Sequence, residues 1–146
     1  MAVEVTDQPL DPWRRVQEYQ AAQLAPGSYG ATAVFVGTLR DFNEGDDVRG
    51  MRLEHYPGMT EKHLGQICRD ADGRWDLLDT LIVHRVGDLE PNDPIVLVAV
   101  WSAHRKDAFE ASRWLMEELK SRAPFWKKER LEGGDERWVE KNTAGY

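Results

Sequence analysis

The chain has 146 residues and a formal net charge of −7, and its 41% hydrophobic and 31% charged residues are typical of a soluble protein with one core. The net charge argues against bulk nucleic-acid binding, which needs a basic surface, and no apolar run reaches the roughly 20 residues of a membrane helix. The N-terminus lacks a secretion signal, so we expect one cytoplasmic domain over residues 1–146, with no membrane or nucleic-acid partner.

The first half of the chain alternates between helix and strand signals. An Asp-Pro pair precedes an amphipathic pattern, which predicts an N-terminal helix over about 11–24. Small and β-branched residues predict a core strand over 31–37, and a polar loop follows over 38–47. Alternation of apolar and polar residues over 48–55 predicts a half-buried antiparallel strand.

The second half continues this alternation. A Tyr-Pro-Gly turn leads into a second helix whose buried face includes Cys68. Strands predicted over 79–86 and 95–101 are expected to form a hairpin, and the second of them is apolar enough to be buried on both faces. A third helix follows and is stopped by Pro124, after which a pair of lysines is placed in a loop. A short strand is predicted over 137–140.

The order of elements is helix, strands, helix, strands, helix, strand, without an internal repeat or a linker. This order predicts an α+β fold, in which helices pack against a largely antiparallel sheet. The core is expected to span about 30–140. The tail, 141–146, has little apolar surface to bury and is expected to be loose.

Positive charge gathers in one part of this acidic chain. The segment 104–130 contains eight Lys and Arg against five Asp and Glu. We predict that its cations converge on one anionic ligand, and the residues concerned are His104, Arg105, Lys120 and Lys127. Lys120 alone could instead stabilise the C-terminus of its helix, and Arg40, after the 31–37 strand, could equally be a solvated partner of Asp41.

Histidine and cysteine give weaker signals. The four histidines lack the spacing of metal ligands, and a single cysteine excludes both an internal disulfide and a cysteine-rich zinc site, so we predict no metal and no cofactor. His84 could be catalytic, although a histidine inside a strand is more often structural. Cys68 is predicted to be an inert core thiol.

Six motifs, in order and at characteristic spacing, resemble the large, catalytic subunit of molybdopterin synthase. They are Phe35–Arg40, Leu53–Met59, His84–Gly87, Ser102–Arg105, Ala108–Ala111 and Leu119–Glu129. The resemblance implies an α/β-hammerhead-type fold with a small antiparallel β subdomain. It also implies a homodimer that binds two small ubiquitin-like sulfur carriers, giving a heterotetramer. The implied activity transfers sulfur from the carriers' C-terminal Gly-Gly thiocarboxylates to cyclic pyranopterin monophosphate, which gives the dithiolene of molybdopterin.

The resemblance also assigns roles to individual residues. It implies that Lys120 and Lys127 are catalytic and also contact the substrate. The other positions that match substrate-binding residues are Thr38, Leu39, Arg40, His104, Arg105, Lys128 and Glu129. The positions that match the pocket lining are Phe35 and Met116. The family can supply an arginine from the neighbouring subunit's tail, but this chain has Lys141 and Asn142 there, so Lys141 or Arg137 are the candidates to replace it.

Both expected ligands are anions, which agrees with the cluster of cations. We hypothesise that Arg40, His104 and Arg105 hold the phosphate of the pterin, because arginine suits bidentate phosphate contact. Lys127 would orient the thiocarboxylate and Lys120 would perform acid/base steps.

Two alternatives remain open: a non-catalytic docking module for a ubiquitin-like partner, and an RNA-binding domain that stacks bases on Phe125 and Trp126.

Overall fold

The computed structural model describes residues 1–139, so the predicted tail and Lys141 lie outside the described residues. Three helices and nine strands form within that range. The helices are α1 (Pro12–Gln23), α2 (Met59–Arg74) and α3 (Arg105–Arg122). The strands are β1 (Ala2–Thr6), β2 (Ala31–Thr38), β3 (Phe42–Asn43), β4 (Asp46–His55), β5 (Leu77–Arg85), β6 (Gly87–Leu89), β7 (Pro94–Ser102), β8 (Phe125–Leu131) and β9 (Glu136–Trp138).

Two sheets organise these elements. The first sheet has the order β1-β5-β7-β2, and only its β1–β5 pair is parallel. The second sheet runs β3-β4-β8-β9, with β6 also pairing with β4, and all its pairs are antiparallel. This is the mixed α+β fold with largely antiparallel sheets that the sequence predicted.

Helices cover both faces of the first sheet. Alternate residues of β7 point to opposite faces, so Val98 packs with α2 and α3 on one side while Leu97 packs with α1 on the other. Both side chains are fully buried. The uninterrupted apolar run of β7 is therefore explained by burial on both faces, as predicted.

The N-terminal helix begins as the sequence predicts. Asp11 is its N-cap, with its side chain accepting a hydrogen bond from the backbone N–H of Arg14, and Pro12 occupies the first turn, where no N–H is needed. None of the three helices among residues 1–139 combines the length and apolar character that crossing a membrane requires.

The short strands β3 and β6 were not predicted, and two longer elements also differ from the prediction. The chain begins with strand β1, which the sequence analysis missed because its pairing with β5 is a long-range contact. The segment after Pro124 was predicted to be a loop but is strand β8, which pairs with β4 along seven positions. Charged residues hide this strand from a hydrophobicity pattern, because its stability depends on its partner strand.

Candidate active site

A cavity of about 460 Å³ opens where one end of the first sheet meets the inner face of the second. Its volume is in the range of small-molecule binding sites. The lining combines cations with apolar and polar side chains. The residues that line it are Phe35, Val36, Gly37, Thr38, Leu39, Arg40, Phe42, Asn43, Met51, His84, Ile95, Val96, Met116, Leu119, Lys120, Lys127, Glu129 and Val139.

Arg40 reaches the cavity from the short segment that follows β2. The backbone of Leu39 fixes this segment, because its N–H donates to Asp93 O at 3.0 Å and its carbonyl accepts from Asn92 N at 2.8 Å. The Leu39 side chain is buried, so it anchors the segment further. The Arg40 guanidinium lies 5.0 Å from the ring centroid of Phe42, which is a cation–π contact. The guanidinium is thus held at the rim of the cavity.

Lys120 and Lys127 approach the cavity from different elements. Lys120 lies in the last turn of α3, one turn beyond Met116, which lines the same cavity. Lys127 lies on β8, and its pKa is lowered to about 7, firstly by burial and secondly by the positive charge of Lys120. At neutral pH, Lys127 can therefore exchange a proton readily.

Alternation along β8 separates the two adjacent lysines. Lys127 faces the cavity, whereas Lys128 points to the opposite side of the sheet and does not line the cavity. There its Nζ lies 2.8 Å from Glu136 Oε2 and 5.4 Å from the ring centroid of Trp138. The family resemblance implies that both lysines contact the substrate, but only Lys127 faces the cavity.

The same alternation affects the predicted aromatic platform. Phe125 faces inward and stacks on His84, with ring centroids 3.9 Å apart and planes inclined by 18°. Trp126 is on the other face of β8 and is half exposed. The two rings therefore do not form a common surface, and the stacking surface on which the RNA-binding reading depended is absent.

Glu129 is a buried carboxylate in the same lining as Arg40, Lys120 and Lys127. Its two oxygens each accept a hydrogen bond of 3.1 Å from Asn43 Nδ2, and Oε1 also accepts one of 3.0 Å from Arg137 Nε. Arg137 was a candidate to replace the cross-subunit arginine, but its guanidinium contacts groups of its own chain.

His104 and Arg105 lie at the other end of the first sheet. Positive charge and the family resemblance predict that they share a site with Arg40. However, β2 and β7 are antiparallel, with Thr38 opposite Pro94, so their C-terminal ends lie about 25 Å apart at 3.3 Å per residue. Within one chain, the predicted convergence of these two residues with Lys120 and Lys127 does not occur, and neither lines the cavity.

His84 lines the cavity although the sequence analysis favoured a structural role for it. Its Nδ1 lies 2.8 Å from the carbonyl oxygen of Arg85, which can only accept, so Nδ1 carries a proton. Burial, together with the charges of Lys120 and Lys127, lowers the pKa of His84 to about 3, so the ring is neutral at physiological pH. The sequence signal that could have placed His84 at the site was its position near the end of a predicted strand, within one of the six family motifs.

Cys68 lies away from the cavity, on the buried face of α2. Burial raises the pKa of its thiol to about 12, so the reactive thiolate is scarce at neutral pH. Among residues 1–139, no group of three or more His, Cys, Asp or Glu side chains is arranged to hold a metal ion.

Comparison with known proteins gives consistent matches. A sequence profile described as "MoaE protein" matches residues 5–122. A Pseudomonas aeruginosa protein named molybdopterin synthase catalytic subunit is 52% identical over 140 residues, which cover 96% of this chain and 91% of that protein. The crystal structure titled molybdopterin synthase from Staphylococcus aureus is 35% identical, with a TM-score of 0.84 and coverage of 94% and 96%. A MoaE protein structure from Burkholderia ambifaria is 46% identical, with a TM-score of 0.78 and coverage of 95% and 89%.

Proposed function

The chain belongs to the MoaE family, whose curated relatives are named molybdopterin synthase catalytic subunits, and from that premise we propose that it transfers sulfur to a pterin. The sulfur would come from the C-terminal thiocarboxylate of a small ubiquitin-like carrier. The acceptor would be cyclic pyranopterin monophosphate, which takes up two sulfurs to become the dithiolene of molybdopterin. The observation that carries this proposal is the cavity lined by Arg40, Lys120 and Lys127.

The charge of the cavity supports two anionic ligands. The protein carries a net charge of −7, yet three cations line this one cavity. The local charge is therefore opposite in sign to that of the whole chain. Arg40 is suited to a phosphate because a guanidinium can make two parallel hydrogen bonds to it. The two lysines are suited to the thiocarboxylate, which an extended C-terminal tail would carry into the cavity.

We assign the acid/base step to Lys127 and the charge contact with the thiocarboxylate to Lys120. This reverses the assignment made from sequence, because Lys127 is the lysine whose pKa is lowered to about 7. A general acid or base works best when its pKa is close to the working pH. The thiocarboxylate sulfur would bond to the pterin, and water would then attack the carrier's carbonyl carbon and break its C–S bond, so that the carrier leaves as a carboxylate. Lys127 would accept the proton from this water and return it to the sulfur that leaves the carbonyl.

The distant position of His104 and Arg105 supports a homodimer as the complete unit. Strand β2 is an edge of the first sheet, and its eight residues include no charge, so its free edge is suited to pairing with another strand. Antiparallel pairing of two β2 strands about a two-fold axis would set Ala31 of one copy opposite Thr38 of the other. The partner subunit's His104 and the partner subunit's Arg105 would then approach the cavity beside Arg40.

Reconstitution tests the proposed reaction. The chain is mixed with thiocarboxylated carrier and cyclic pyranopterin monophosphate, and mass spectrometry follows the doubly sulfurated product. We expect product from the wild type and strong losses for Lys120→Ala and Lys127→Ala. Full activity in both variants would refute the assignment of the site. Carrier binding without any sulfur transfer by the wild type would instead support a docking module.

Mixed dimers test the shared site. Lys127→Ala and Arg105→Ala are each expected to be nearly inactive alone. After exchange of subunits, about a quarter of the sites would combine an intact Lys127 with the partner subunit's intact Arg105, so about a quarter of the activity should return. No recovery, with heterodimers verified by mass, would contradict a site shared between subunits.

A further inference from the structure

A negative side chain in the wall of a cavity for anions requires an explanation. Glu129 lines the same cavity as Lys127, and its side chain is only 5% exposed. A carboxylate in that place would repel a phosphate or a thiocarboxylate, and the repulsion would be strong because burial reduces screening by water. The groups that form hydrogen bonds with Glu129 therefore affect how well an anion binds in the cavity.

Arg137 connects Glu129 to the β3–β4 hairpin. Besides its 3.0 Å bond to Glu129, its guanidinium donates to Asp46 Oδ2 at 2.6 Å and to the backbone oxygen of Asn43 at 2.8 Å. Asn43 in turn donates its side-chain amide to both oxygens of Glu129. A single guanidinium thus joins β9, β8 and the hairpin.

The hairpin joined in this way forms one wall of the cavity. Phe42 and Asn43 belong to its first strand and both line the cavity, and Phe42 supports Arg40. The hairpin turns through Glu44 and Gly45, both with positive φ, and β3 is only two residues long. Such a short hairpin is marginally stable by itself, so contacts with neighbouring strands must hold it.

We propose that Arg137 and Asn43 clamp Glu129, so that its carboxylate serves as a positioning group for the cavity and does not bind the substrate. The clamp would neutralise the charge of Glu129 towards an anionic ligand and fix the hairpin that carries Phe42. This revises the role that the family resemblance implies for Glu129. The anionic nature of the ligand rests on the proposed function, whereas the clamp itself rests on the contacts above.

The clamp makes a prediction about Lys127 that differs in sign between two variants. Glu129 raises the pKa of Lys127 and so opposes burial and Lys120, which lower it. Arg137→Gln removes the charge that neutralises Glu129, so the pKa of Lys127 should rise. Glu129→Gln removes the carboxylate, so this pKa should fall. The other charged or titratable groups around the cavity are Lys120 on α3, His84 on β5, His55 on β4 beside His84, Arg40 after β2, and Glu44 and Asp46 on the hairpin.

The experiment measures how the labelling rate of Lys127 by an amine-reactive reagent depends on pH, using peptide mass spectrometry on the full chain. We expect a midpoint near 7 for the wild type. The midpoint should rise by about one unit in Arg137→Gln and fall by about one unit in Glu129→Gln. Arg137→Lys should restore most of the wild-type value. Arg52→Gln is the matched control, because Arg52 pairs with Glu54 and Asp88 on the outer face of the same sheet.

Shifts of the same sign in both variants, or no shift in either, would overturn the proposal. Circular dichroism checks that each variant is folded, and if Arg137→Gln does not fold, Asn43→Ala replaces it with the same expected upward shift. Labelling needs no sulfur transfer, so the two proposals can fail separately. Opposite shifts without product formation would uphold the clamp and refute the proposed function, whereas product formation without shifts would do the reverse.

Discussion

The two sheets of this protein are built from different kinds of residue. The central strands of the first sheet, β5 and β7, are buried between helices, and their side chains from Leu81 to Val83 and from Leu97 to Trp101 are inaccessible to water. Strand β8 of the second sheet contains four charged residues among seven. The first sheet therefore supplies the rigid frame, whereas the second supplies charged groups whose function depends on which face of the strand they occupy.

Strand alternation gives the sharpest way to test this division. We expect Lys127→Ala to reduce the rate of sulfur transfer by about 10²–10⁴-fold, because it removes the proposed acid/base group. The matched variant, Lys128→Ala, removes the same charge one residue further along β8. It should stay within a few-fold of the wild type, because Lys128 pairs with Glu136 on the outer face.

Steady-state assays with preformed thiocarboxylated carrier measure both variants. Equal losses of sulfur-transfer rate in the two variants would mean that the rate depends on the number of positive charges. It would then not depend on which face of β8 carries them. Such a result would remove the distinction between the two faces of the second sheet. The melting temperatures of both variants serve as the control for folding.

The first sheet should respond through stability. Leu97→Ala leaves a cavity in a fully buried strand, and such changes cost about 2–5 kcal/mol in the free energy of unfolding. Trp138→Ala in the second sheet removes a larger side chain that is half exposed, and the cation–π contact it loses at such a site is worth up to about 1 kcal/mol. Urea denaturation measures both. A greater loss for Trp138→Ala would show that the second sheet also belongs to the frame.

The same contrast explains what could be predicted from sequence. Strand β7 was predicted correctly because its apolar run is a local signal. Strand β8 was missed because its structure depends on β4, whose paired residues lie at least 70 residues earlier in the chain. Arg40, Lys120 and Lys127 were identified from their charge and from the family motifs, but the chain alone could not tell that Lys128 turns away.

The predicted position of His104 and Arg105 was wrong for a related reason. Charge and the family motifs predicted that they lie beside Arg40, but β2 and β7 are antiparallel, so the residues that follow these two strands lie at opposite ends of the sheet. The role of Glu129 also needed three-dimensional information, because its partners Asn43 and Arg137 lie 86 and 8 residues away in the sequence. Charge and motif therefore identified candidate residues, whereas strand direction and alternation determined which of them share a site.

The smallest effect is expected at Cys68, and it bears on the route that sulfur takes. An enzyme that carried sulfur on its own cysteine would need an accessible thiol with a low pKa, but Cys68 is fully buried and its pKa is raised to about 12. Cys68→Ala should therefore keep turnover within about two-fold and cost about 1 kcal/mol of stability, through the loss of one small buried atom. Single-turnover assays with thiocarboxylated carrier measure the first quantity, and urea denaturation measures the second. Loss of sulfur transfer in a folded variant would mean that Cys68 takes part in carrying the sulfur. The cationic cavity could then not be the whole active site.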